Sequence, residues 1–147
     1  MCWARDGLLN RQVVRAIFMP TPAPTILVLE DESHISAVLR ALLPPLGFQP
    51  MICSDGASGV CKYIEAPETY GLVMADYSLP GMTGIEAIRR MRAVATRPFI
   101  LMSGSHPEEM AGCLTEGERS TVVILSKPFG KASLQAAIQR AIHLAAA

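Results

Sequence analysis

The sequence lacks several things, and each gap removes a class of protein. It has no CxxC pair: Cys2, Cys53, Cys61 and Cys113 stand far apart, and no histidine lies at zinc-finger spacing from them. A structural zinc site and a disulfide framework are not expected. Buried, reduced thiols in a cytoplasmic protein are. No apolar run approaches the roughly 20 residues of a membrane helix. No apolar core of a secretory signal follows the polar first residues. Net charge is missing too, because 13 Lys and Arg are balanced by 13 Asp and Glu. Nucleic-acid-binding domains are usually basic, so neither a nucleic acid nor a membrane is an expected partner. Acids are absent after Glu118, where Arg119, Lys127, Lys131 and Arg140 stand unopposed. The plain reading of that stretch is solvated helix surface.

What is present is a chain of 147 residues, 50% of them hydrophobic, enough for one domain with a proper core. Residues 1–24 stand apart. Leu9, Val13, Ala16 and Ile17 have helical spacing, with Arg11 and Arg15 off that face. An amphipathic helix is expected over Asp6–Phe18, followed by an extended linker through Pro20, Pro22 and Pro24. This extension is either peripheral or docks on the domain or on a second copy, so a homodimer is one candidate assembly. The domain proper is 25–147.

From Thr25 strand and helix alternate. Strands are expected at Thr25–Glu30, Phe48–Cys53, Tyr70–Ala75, Pro98–Met102 and Thr121–Ser126. The second is an edge strand, since it carries Gln49 and Pro50. Helices are expected at Ser33–Leu43, after Ser54-Asp55-Gly56, at Gly84–Val94, from Pro107 to a stop at Gly117, and at Lys131–Leu144. Their inward positions are Ile35, Val38, Leu39 and Leu42; Val60, Tyr63 and Ile64; Ile85, Ile88 and Met91; Met110, Cys113 and Leu114; and Leu134, Ala137, Ile138 and Ala141. Thr83 and Glu86 match a capping box. The expected fold is α/β: a doubly wound, five-stranded parallel sheet of flavodoxin-like order 2-1-3-4-5 with five helices.

Polar groups follow these strands directly. Glu30, Asp31 and Glu32 end the first, Asp76 the third, Ser103 the fourth and Lys127 the fifth. In the order 2-1-3-4-5 they meet at the carboxyl rim, at the topological switch point. Crowded carboxylates repel one another unless a cation neutralises them. Mg2+ suits such a site, since it takes oxygen ligands and uses few carboxylates together with phosphate oxygens. Lys127 supplies positive charge for a phosphoryl oxygen, and the Ser103 hydroxyl can donate to another. Singly, each residue has a plainer reading: Asp31 a helix cap, Asp76 a loop acid, Ser103 a turn residue, Lys127 a surface charge.

Taken together, LEDE, MADYSLPGMTG, ILMSGS and LSKPFG, each at a strand end, resemble the receiver domain of bacterial two-component response regulators over about Thr25 to Leu144. The resemblance implies that Asp76 is the phosphoacceptor, taking a phosphoryl group from a phosphohistidine or a small donor such as acetyl phosphate. It implies that Asp31, Asp76 and the backbone carbonyl of Ser78 hold Mg2+. Glu30 contributes through a water or by hydrogen bonding, Lys127 pairs with the phosphoryl group, and Ser103 moves towards it after transfer. The implied partners are a histidine kinase or phosphotransfer protein and a downstream protein target. The first helix, with Ser36, Ala37, Arg40 and Leu43 outward, is the expected docking face for the donor. No DNA-binding or catalytic segment follows Leu144, so a stand-alone receiver is expected, a signalling module and not an enzyme.

Two departures bear on mechanism. Where many receivers carry an aromatic residue three positions before the lysine, this chain has Ile124, which cannot make an aromatic rotamer switch. The stretch from Gly117 to Lys127 is also longer than usual, with Glu118-Arg119-Ser120-Thr121 in place of a small acidic turn. A scaffold that works without phosphorylation is the first alternative. A phosphohydrolase using an aspartyl phosphate is disfavoured because Ser78, not an acid, stands two residues after Asp76. A flavin carrier is disfavoured because Glu30-Asp31-Glu32 would repel its phosphate.

Overall fold

The computed structural model describes residues 22–146. The helix expected over residues 6–18 and the start of the proline linker lie outside the described residues. Five strands, β1 (Thr25–Leu29), β2 (Gln49–Cys53), β3 (Tyr70–Asp76), β6 (Phe99–Ser103) and β7 (Val122–Ser126), form one parallel sheet in the order β2-β1-β3-β6-β7. This is the expected order 2-1-3-4-5. Between β3 and the following helix a small antiparallel hairpin, β4 (Ser78–Leu79) and β5 (Met82–Thr83), is inserted. The helices are α1 (Ser33–Leu42), α2 (Gly56–Glu65), α3 (Gly84–Arg92), α4 (Pro107–Cys113), α5 (Glu116–Arg119) and α6 (Lys131–Ala146).

The aliphatic strands are buried on both faces because their alternate side chains feed two cores. Leu27, Leu29, Val73, Ala75 and Leu101 pack with α2 and α3, while Ile26, Val28, Met74, Ile100 and Met102 pack with α1 and α6. Each such Leu, Ile or Val contributes about 1.5–3 kcal/mol of burial. All four expected inward residues of α6, Leu134, Ala137, Ile138 and Ala141, are buried.

Three expectations about helix faces fail, the first two for a local reason. In α1, Val38 is 38% exposed while Leu43 is fully buried. The inward stripe runs through Ile35, Leu39 and the C-cap Leu43, four residues apart, which turns Val38 outward. In α2, Ile64 is 45% exposed, because Gly56, Gly59, Val60 and Tyr63 form the face against the sheet. Cys61 and Cys113 are exposed, and only Cys53 among the described cysteines is buried.

The single helix expected from Pro107 to Gly117 is two. Helix α4 stops because Leu114 turns extended and is buried. A new turn, α5, then starts at Thr115, whose hydroxyl accepts from the Glu118 amide (3.2 Å) while the Glu118 carboxylate accepts from the Thr115 amide (2.8 Å). This capping box closes reciprocally. The one expected at Thr83 forms only one arm: Thr83 accepts from the Glu86 amide, but the Glu86 carboxylate pairs with Arg90 at 2.6 Å instead. Arg89 reaches across from α3 and grips Glu118 with two hydrogen bonds of 2.7 and 3.0 Å. That grip holds the Glu118 carboxyl down at about 2.

Candidate functional site

The sheet ladder extends one residue past the strands and carries the site with it. The Glu30 amide donates to the Cys53 carbonyl (3.0 Å), Tyr77 to Met102 (2.8 Å) and Lys127 to Ser103 (2.8 Å). Asp76 lies in register with Met102, and Ser103 with Ser126. The polar residues after each strand therefore arrive at one rim. Gly84, the first residue of α3, donates its amide to the Tyr77 carbonyl at 2.8 Å. A Cβ on Gly84 would collide with the Asp76 carbonyl, so only glycine lets the helix start this close beneath the aspartate.

Lys127 is the centre of the site. Its Nζ lies 2.8 Å from Glu30 Oε2, 3.2 Å from Asp76 Oδ2 and 3.5 Å from Glu32 Oε1. Glu30, Asp76 and Ser103 are buried, and the lysine side chain is only 11% exposed. Glu30 Oε1 also accepts from the Glu32 amide at 3.1 Å. The Ser103 hydroxyl accepts from the Ser105 amide at 3.0 Å, which leaves its own proton free to donate. The Lys127–Pro128 peptide bond is cis.

Burial pushes the Glu30 carboxyl above its ordinary value, against the pull of Lys127 and the Glu32 amide. Burial works against the charge of Lys127 as well, but Glu30 and Asp76 outweigh it and raise the ammonium. The Glu30 shift is mainly the cost of burying its charge, while the Lys127 shift reflects the carboxylates around it. Three carboxylates share one ammonium.

Sequence reasoning placed Glu30, Asp76, Ser103 and Lys127 at one rim, and all four are there. Asp31 is exposed, and its carboxylate is not among those gathered around Lys127. Glu32 is: oxygens of Glu30, Glu32 and Asp76 lie within 4.8 Å of one another. Glu32 is the N-cap of α1 but makes no side-chain cap bond, and neither does Asp31 serve as that cap. The signal for Glu32 was the third acid of the LEDE run. Ser78 is exposed in the β4–β5 hairpin.

The donor set fits a hard divalent cation. Three carboxylate oxygens converge, and their excess over Lys127 is two negative charges. Glu30 Oε2 and Lys127 Nζ are buried and meet as an ion pair at 2.8 Å, without hydrogen-bonding geometry. Ile124, half-buried, lines a groove of about 370 Å³ with Pro107, Leu114 and Arg140.

Comparison with known proteins agrees with this geometry. The family model described as response regulator receiver domain matches residues 26–139. The regulatory protein VanRB of Enterococcus faecalis is 35% identical over 71% of this chain and 46% of its own length. The transcriptional activator protein PfeR of Pseudomonas aeruginosa is 33% identical over 78% of this chain and 36% of its own. The chain thus spans about half or less of the length of these curated relatives. A response regulator receiver domain protein from Clostridium thermocellum superposes with a TM-score of 0.71 at 26% identity, covering 82% of this chain and 94% of that one. With the sheet order, the acidic rim and the central lysine all in place, the chain belongs to the response regulator receiver domain family of two-component signalling.

Proposed function

We propose that Asp76 accepts a phosphoryl group from a phosphohistidine donor, with Mg2+ at the acidic rim, and that the chain signals through protein partners. One observation carries the reading: Lys127 Nζ stands 3.2 Å from Asp76 Oδ2 in a buried, over-acidic cluster. A bound Mg2+ would neutralise the rim and offset charge on a transferring phosphoryl group. Asp76 and Asp31, the Ser78 carbonyl, Glu30 through a water and, from its position, Glu32 are the groups to hold it. Lys127 exchanges a carboxylate for a phosphoryl oxygen, and Ser103 donates its free proton to another. Positioning and charge neutralisation do most of the work, since phosphoryl transfer has a loose transition state.

The test is intact mass after incubation with acetyl phosphate, with and without Mg2+, beside Asp76→Ala. A single phosphoryl adduct that needs both Mg2+ and Asp76 is the expected result. An adduct that survives Asp76→Ala would overturn the assignment.

The donor's docking face is α1, with one correction. Leu43 is buried, so the face is Ser36, Ala37 and Arg40, which line a groove together with Glu30 and Asp31. The groove leads from the helix to the acidic rim. Ala37→Asp should slow transfer from a cognate histidine donor while leaving labelling by acetyl phosphate unchanged. Equal rates from the histidine donor would remove the idea.

With Ile124 in the aromatic position, the phosphorylation signal is carried by the loops after β3 and β6. Amide spectra of the phosphorylated and free forms should differ most around 77–83 and 104–107. Changes concentrated on α6 would count against this. Ile124 also favours a second reading, a scaffold that binds partners without phosphorylation. It predicts partner binding unaltered in Asp76→Ala.

A further inference from the structure

We propose that the segment 6–18 of this chain docks into the apolar groove between β2's entry and the second half of α6. The groove is lined by Leu46, Phe48, Gln135, Ile138, Gln139 and Ile142. It holds about 200 Å³ and has no charged side chain. Ile142 is 43% exposed there, on a helix that buries Leu134, Ala137, Ile138 and Ala141, and Leu46 and Phe48 are only partly covered. An apolar recess with an exposed isoleucine on its wall is a place for another apolar surface.

Three observations point to this segment as the occupant. First, the chain leaves the described fold beside the groove. The Pro24 carbonyl accepts from the Gln49 amide at 3.0 Å, and Gln49 follows the groove residue Phe48. Strand β1 begins at the same sheet edge to which α6 returns, opposite the acidic rim. Second, the reach is sufficient. Residues 19–24 span up to about 20 Å when extended, and Pro24 is already bonded to the residue that follows Phe48. Third, the lengths match. On a helix, Leu9 to Ile17 would cover about 12 Å, and Gln135 to Ile142 cover about 10 Å of α6. Leu9, Val13, Ala16 and Ile17 would face the groove, with Arg11 and Arg15 turned to water.

Hydrogen–deuterium exchange of the full chain, read by mass spectrometry, tests the proposal. Amides of residues 6–18 should exchange more slowly than an unprotected chain. That protection should be lost in Ile142→Asp and kept in Ile64→Asp, which changes an equally exposed isoleucine on α2. Val13→Asp, which alters only the segment, should cause the same loss, while the amides of β3 stay protected in every variant. The emission of Trp3, the only tryptophan, should shift to the red in Ile142→Asp. The proposal is overturned if residues 6–18 exchange freely in the unaltered chain, or if Ile142→Asp leaves their protection intact. It is also overturned if the protection appears only with concentration alongside a dimer mass by light scattering, since a second copy would then be the occupant.

Discussion

At the scale of single residues, Lys127 and Glu30 form one ion pair with opposite expected sensitivities. Lys127 has its charged form favoured by the fold, so its contribution is present below its unfolded value of 10.5 and lost as the pH rises through the raised folded value. Lys127→Met should therefore cost about 3 kcal/mol at neutral pH by urea denaturation, because it leaves buried carboxylates uncompensated. Glu30 has its neutral form favoured. The stability this gives is present below the unfolded value of 4.5 and is lost as the pH rises through the raised folded value. Glu30→Gln should then be neutral or stabilising at neutral pH, since the amide oxygen can still accept from Glu32 and Lys127 keeps Asp76. A large loss in Glu30→Gln would show that the pair, rather than the excess of acid, governs the site.

At the scale of elements, the short turn α5 is held to α3 by Arg89 and Glu118. Glu118 falls from 4.5 to about 2 on folding, so its contribution is present above 4.5 and is lost as the pH drops from 4.5 towards 2. Arg89→Ala should lower the melting temperature slightly at neutral pH and flatten the pH dependence of melting in that window. Gly84→Ala should cost about 1–3 kcal/mol by pushing the start of α3 off the Asp76 carbonyl, and should slow adduct formation. Sequence alone made the strands legible, because near-continuous aliphatic runs admit few places in a sheet. It made Glu30, Asp76, Ser103 and Lys127 legible for the same reason, since each follows such a run. It did not show which of three consecutive acids turns inward. That depends on the extended backbone at Glu32, where the chain bends into α1. Nor did it show the break at Leu114, where burial of one side chain outweighed the continuity of a helical pattern. The signal for that break is the Thr115–Glu118 capping box, which lies across the stop expected at Gly117.

At the scale of the whole molecule, the proposed cation site would link binding to folding. Mg2+ at 100 times its dissociation constant should stabilise the chain by about 2.7 kcal/mol in thermal melts, and Asp76→Asn should remove most of that gain. Among the described residues no helix is long and apolar enough to cross a membrane. The two layers of helices leave the acidic rim at one end of the sheet and the groove beside α6 at the other. The backbone bonds from Glu30, Tyr77 and Lys127 to the neighbouring strands have a consequence for substrate scope. They make the rim a continuation of the sheet, so its atoms are already in place before any donor arrives. On the proposed function, a reaction partner then needs to bring no ordering force of its own, and a donor too small to touch the protein anywhere else should still react. Selectivity among donors has to come from contacts made outside the rim, where size and shape can be judged.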